Sequence, residues 1–191
     1  MNDIPIIALV PMRSAVARDR AIELDLVVTI TPPQLETTET RPALNLGLVL
    51  DRSGSMSGTK LRYAKQAACY AVEQLLPTDR VGVTIFDDEV ETLVPSTLAS
   101  DKRAILSRIQ QIEPSGTTAL HAGWLQGAMA VSEHLDSDRL NRVLLLSDGL
   151  ANVGERNPQT IGEHVSGLAT RKVSTSTLGL GNDYDEDLLA T

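Results

Sequence analysis

Asp51, Ser53 and Ser55 occupy alternate positions in the stretch Leu48-Val49-Leu50-Asp51-Arg52-Ser53-Gly54-Ser55-Met56-Ser57-Gly58. A carboxylate and two hydroxyls are hard oxygen donors, and no His or Cys lies beside them. The set therefore suits Mg²⁺ or Mn²⁺, with Ca²⁺ a poorer match and zinc or copper disfavoured. Ser and Gly are also ordinary turn residues, so the stretch needs support from elsewhere in the chain. Two further loops offer it. Val143-Leu144-Leu145-Leu146 is an apolar run that ends in Ser147-Asp148-Gly149, and Pro114-Ser115-Gly116-Thr117-Thr118 leads into an amphipathic pattern.

Positioning these groups falls to a regular alternation of strands and helices. Leu44 to Leu50 is expected as a strand, with a helix from about Lys60 to Leu76 carrying Leu61, Ala64, Ala68, Val72 and Leu75 on one stripe before Pro77. Val81–Phe86 and Val90–Val94 read as an antiparallel hairpin around Asp87-Asp88-Glu89. Asp101 is placed to cap a helix bearing Ile105, Ile109 and Ile112. Leu120, Trp124, Ala128, Val131 and Leu135 mark the next helix, and Val143–Leu146 a strand covered on both faces. A helix near Pro158 to Thr170, a strand Val173 to Leu180 and a helix starting at Asp185 complete the series.

This order implies a three-layer, doubly wound, Rossmann-like α/β fold with a mostly parallel sheet and one antiparallel edge strand. In such sheets ligands bind beyond the carboxyl ends of the strands, where strand order reverses. If the strands ending at Asp51 and Asp148 are neighbours there, three loops distant in sequence build one oxygen-rich site.

The 191 residues allow one domain with a real core, and 17 basic against 25 acidic residues give a formal charge of −8. No basic cluster or aromatic ladder stands out, which argues against a nucleic-acid partner. The apolar stretch Ile4–Met12 is too short to span a bilayer and lacks a basic leader, so a cytoplasmic protein with no membrane attachment is the expectation. The single Cys69 lies in an apolar helical stretch and reads as a buried structural thiol.

The motif Asp51-x-Ser53-x-Ser55, the Gly-x-Thr loop ending at Thr118, and Ser147-Asp148-Gly149 after a central strand resemble the von Willebrand factor A (vWA) family in its bacterial form. They follow the family's order from about Ala43 to the C-terminus. In that family these motifs form the metal-ion-dependent adhesion site. The resemblance implies that Ser53, Ser55 and Thr118 bind the metal through hydroxyls, and that Asp51 and Asp148 act directly or through water. Gly116-Thr117-Thr118 matches the family's spacing at Thr118, with Gly123 following, although Thr117 offers the same chemistry.

By the same resemblance residues 43–191 form the domain, short of its last strand and helix and so truncated at the C-terminus. Residues 1–42 are an N-terminal arm, with an extra strand at Ile22–Ile30 that pairs with a neighbouring strand or a companion β region. Neutral hydroxyls around a divalent cation leave it a strong Lewis acid, and an open position can take a partner's carboxylate. The implied function is therefore metal-dependent protein binding to a Glu or Asp of a partner, with no small-molecule substrate and no catalysis.

Two alternatives carry different chemistry. A metal-dependent hydrolase or phosphatase could use Asp51 as its nucleophile, but such sites want a second carboxylate two residues on, where this chain has Ser53. A scaffold subunit of an ATPase-linked assembly is the other, with the ATPase a separate partner because no Walker motif is present. Among the remaining groups, His121, His134 and His164 are expected as solvated or packed residues and Trp124 as core. Asp87-Asp88-Glu89 is expected as a solvated turn, and Asp183 to Asp187 as a charged helix start.

Overall fold

The computed structural model describes residues 5–13, 15, 19, 23–31 and 41–190. It divides into two compact units, Met1–Arg41 and Pro42–Thr191. The first contains an antiparallel pair, β1 (Ile6–Pro11) and β2 (Leu26–Thr31), in the register Ile7↔Ile30, Leu9↔Val28 and Pro11↔Leu26. Every residue of both strands is exposed. The strand expected at Ile22–Ile30 thus begins at Leu26, and just before it the Asp25 carbonyl accepts the Met12 N–H at 2.9 Å. Ile4, Ile22, the stop at Pro32-Pro33 and the connection from Gln34 to Thr40 lie outside the described residues.

The second unit is a five-stranded sheet in the order β5-β4-β3-β6-β7, built from β3 (Leu44–Asp51), β4 (Arg80–Phe86), β5 (Val90–Leu98), β6 (Leu140–Ser147) and β7 (Val173–Gly179). All neighbours are parallel except β4 and β5. β3 is central, flanked by β4 on one side and β6 on the other, so strand order reverses beside it. β5 runs past Pro95 to Leu98, longer than expected. An edge strand tolerates proline because the missing N–H has no ladder partner to serve.

Helices α1 (Thr59–Gln74) and α2 (Lys102–Gln110) pack on one face of the sheet with Leu46, Leu48 and Leu50; α3 (Leu120–Ser132) and α4 (Pro158–Ala169) cover the other with Val49, Val143 and Leu145. Period-two alternation along β3 supplies both cores from one strand. The stripe Leu61, Ala64, Ala68, Val72 and Leu75 is buried as expected, and Asp101 accepts the Ala104 N–H as its helix cap. Cys69 is half-buried rather than buried, because it sits one helical position off that stripe. α3 ends at Ser132, short of Leu135, which is exposed.

α3 lies unusually close to β3. A Cβ on Gly47 would meet Val131 Cγ2 at 2.8 Å and the Gly127 carbonyl at 3.0 Å, and one on Gly127 would collide with Val49 Cγ2. Glycine removes those atoms and lets helix and strand backbones approach. That approach sets the start of α3, and Thr118 before it, near the end of β3. A short α5 (Glu186–Leu189) follows β7, with Asp185 capping it through the Leu188 N–H at 3.0 Å. Among the described residues no helix is long and apolar enough to cross a membrane.

Candidate metal centre

β3 and β6 pair in register, Leu50 opposite Leu146, so Asp51 and Asp148 leave neighbouring strands at the same edge. Both carboxylates are fully buried. Asp51 Oδ1 accepts the Ser53 N–H at 2.9 Å, a local turn that swings the chain back, and Ser53 Oγ lies 3.1 Å from Ser55 Oγ. Ser53 is buried and Ser55 exposed, so the pair of hydroxyls runs from the interior to the surface.

The third loop is tied to the first by backbone hydrogen bonds. Gly54 N–H donates to the Gly116 carbonyl at 3.1 Å and Ser115 N–H to the Arg52 carbonyl at 2.8 Å. Thr118 is buried and Thr117 exposed. Asn152 holds Thr118 from both sides: its Oδ1 accepts the Thr118 N–H at 2.8 Å and its own N–H donates to the Thr118 carbonyl at 3.1 Å. The Asp51, Thr118 and Asp148 loops are thus brought to one end of the sheet. Their hydroxyls and carboxylates come from three chain segments.

Three supporting residues escaped the sequence reading. Ser147 Oγ donates to Asp51 Oδ2 at 2.6 Å and accepts the Gly149 N–H at 2.9 Å, joining the two strand ends. Lys60 Nζ stands 3.0 Å from Asp148 Oδ2 and 2.8 Å from Asp183 Oδ1. The third is Asn152. A Ser directly before Asp148 and a Lys opening the helix after Asp51 were visible in the sequence, but neither pattern says what the side chain will reach.

Asp87 corrects an expectation. It is buried, not solvated: its Oδ1 accepts the Glu89 N–H at 2.8 Å and its Oδ2 lies 2.9 Å from Arg52 Nε. Arg52, sent back over the β4–β5 turn by the Asp51 loop, covers it. Asp88 Oδ1 accepts the Thr117 N–H at 3.1 Å, so this turn also braces the Thr118 loop. Trp124 is core as expected, its Nε1 donating to Thr175 Oγ1 at 3.0 Å. His121 Nε2 and His164 Nδ1 lie 3.0 Å apart on the outer side of α3 and α4.

Burial pushes the Asp51 carboxyl above its usual range; the Ser147 and Ser53 donors pull against that, and nearby Asp148 adds to the rise. Burial alone would lower the Lys60 ammonium, but its bonds to Asp183 and Asp148 outweigh it and hold the pKa above normal. The site therefore concentrates negative charge in a place that resists it, the setting in which a cation is favoured. Among the described residues no three His, Cys, Asp or Glu side chains cluster closely enough to hold a metal unaided.

These features define a doubly wound α/β domain whose oxygen-bearing loops gather where its strand order reverses. The chain belongs to the von Willebrand factor type A domain family, whose model matches residues 46–151, more than half of its length. A protein of Synechocystis sp. is 31% identical over 150 residues, covering 78% of this chain and 35% of that relative. Human inter-alpha-trypsin inhibitor heavy chain H3 is 30% identical over 154 residues, covering 76% of this chain and 17% of its own length. The chain thus spans about a third or less of these curated relatives.

Solved structures share the fold. Proximal thread matrix protein 1 of the mussel byssus, described with zinc in its metal-ion-dependent adhesion motif, superposes with a TM-score of 0.62 at 18% identity, over 77% of this chain and 41% of that one. The manganese-loaded TRAP protein of Plasmodium vivax gives a TM-score of 0.61 at 22% identity, over 77% and 61%.

Proposed function

We propose that this chain is a divalent-cation-dependent protein-binding module. Asp51, Ser53, Ser55, Thr118 and Asp148 hold Mg²⁺ or Mn²⁺, and the ion takes a Glu or Asp carboxylate from a partner protein. The observation that carries this reading is the gathering of two buried strand-end carboxylates at one end of the sheet with three hydroxyls, two from the Asp51 loop and one from the Thr118 loop. The donor set fits a hard cation: oxygen donors throughout, and a charge balance that leaves the ion electrophilic. When bound, the ion supplies Lewis acidity toward an incoming carboxylate. The chain's own residues set the donors in place: Ser147 fixes Asp51, Asn152 fixes Thr118, and the Gly54–Gly116 bond closes the crevice.

The hydrolase alternative lacks its second carboxylate. Ser53 occupies that position and its amide serves Asp51. We assign residues 43–191 to the binding domain and residues 1–42 to an arm outside it. Each residue of the arm's two-stranded ribbon is exposed and such a pair alone is marginal in water, which supports its pairing with a neighbouring strand or a companion β region.

Isothermal titration of Mg²⁺ and Mn²⁺ into chelator-stripped protein tests the reading. Saturable binding near one equivalent is expected in the wild type and in Thr117→Ala, and loss in Asp51→Ala and Thr118→Ala. Equal titrations of folded wild type and Asp51→Ala would overturn it. A synthetic acidic peptide should then be retained in metal and released by chelator.

A further inference from the structure

Lys60 forms an ion pair with a buried carboxylate of the site, and it has two acceptors at once. Its Nζ lies 3.0 Å from the fully buried Asp148 and 2.8 Å from Asp183, a side chain that is 66% exposed. The stem is guided there. It crosses directly over Gly181, where φ is +97° and a Cβ would stand 2.5 Å from Lys60 Cε and 2.7 Å from Asp183 Oδ1. Asp148 Oδ1 meanwhile accepts the Leu150 N–H at 3.2 Å, so Lys60 holds the other oxygen, Oδ2. Packing, glycine and two carboxylates converge on a single ammonium position between an interior acceptor and a surface one.

We propose that Lys60 sets the cation affinity of the site: its ammonium competes with the metal for Asp148, and Asp183 is the alternative acceptor that draws it away. This rests on the metal reading of Asp51 to Asp148 given above. In the metal-free protein Lys60 neutralises Asp148, which would otherwise face Asp51 as an uncompensated like charge in the interior. When the ion arrives, Asp148 must serve it, and the ammonium shifts its bond toward Asp183. The cost is electrostatic, because a unit charge and a divalent ion in one partly buried crevice repel strongly. Without the ammonium the crevice would carry two uncompensated carboxylates and grip cations more tightly. Without Asp183 the ammonium would rest wholly on Asp148 and cations would bind less well.

The two substitutions thus have opposite signs, which a merely structural role would not produce. Calorimetric titration of Mg²⁺ into wild type, Lys60→Met, Asp183→Asn and the double variant, with Asp51→Ala as reference, tests this. Lys60→Met is expected to bind Mg²⁺ about tenfold tighter, and Asp183→Asn several-fold weaker, on the scale of ordinary coupling between ligands. In the Lys60→Met background Asp183→Asn should then change little, because the group it restrains is gone. Asp183 is at the surface, so its variant keeps the test open if Lys60→Met folds poorly. Shifts of the same sign, or affinities all within about twofold, would overturn the Lys60 proposal while leaving the metal reading intact. No Mg²⁺ binding in any protein, with Asp51→Ala indistinguishable from wild type, would overturn both.

Discussion

Ser147→Ala should cost the domain far more than one buried hydroxyl suggests. Ser147 is fully buried and makes two bonds, donating to Asp51 Oδ2 at 2.6 Å and accepting from Gly149 N–H at 2.9 Å. Alanine removes both at once. A hydrogen bond to a charged acceptor contributes about 1.5–3 kcal/mol, and an orphaned buried N–H costs about 1–3 kcal/mol. Asp51 keeps the Ser53 N–H at 2.9 Å, so its desolvation is only partly exposed. Relaxation and a bridging water would reduce the sum, and about 3 kcal/mol is the expected loss. With a urea slope of roughly 2 kcal/mol/M, the midpoint falls by about 1.5 M. The assay is urea unfolding followed by Trp124 fluorescence in chelator, beside Ser166→Ala as an exposed control expected within about 0.5 kcal/mol. A Ser147→Ala midpoint within about 0.25 M of wild type would refute the view that this hydroxyl organises the two strand ends.

Two further outcomes follow from packing and charge. Gly127→Ala must push a methyl into Val49 Cγ2, on a fully buried β-branched side chain, so overpacking outweighs the gain in helix propensity. A net loss of about 2 kcal/mol lowers Tm by about 4–8 °C in a thermal melt, whereas Gly167→Ala, with open space around its Cβ, should hold or raise Tm. His121 is held below its ordinary 6.5 first by burial and then by His164. Its folded pKa is therefore the lower one, and its contribution is complete above about 6.5 and lost as pH falls through the folded value. Urea midpoints at about pH 7.5 and 5.5 should differ less in His121→Gln than in wild type; an unchanged difference would refute this.

Asp51, Ser53 and Ser55 were legible because one turn supplies all three, and Asp148 because an apolar run stops at it. The βα alternation carried the fold and with it the neighbourhood of β3 and β6. What stayed hidden depends on contacts across the chain: Ser147 to Asp51, Lys60 to Asp148 and Thr118 to Asn152 join residues 96, 88 and 34 positions apart. No local pattern announces such pairs. Asp87 was misread for the same reason, since a carboxylate in an acidic turn looks solvated until Arg52 folds over it. Cys69 was misplaced by one helical step, and Pro95 concealed the second half of β5, where the edge position removes the usual penalty.

The pairing of β3 with β6 has a kinetic consequence. The crevice closes only when strands about a hundred residues apart along the chain have found each other, and such non-local pairing is slow because loop closure precedes its reward. We expect the oxygen donors to assemble only once that pairing is made, so that the site is completed with the sheet rather than before it. An ion bound at the proposed site would hold the native state and find little to hold before the strands have paired. It would lengthen the lifetime of the folded domain and leave the folding rate nearly unchanged, so that withdrawing the ion shortens the domain's survival without hindering its formation.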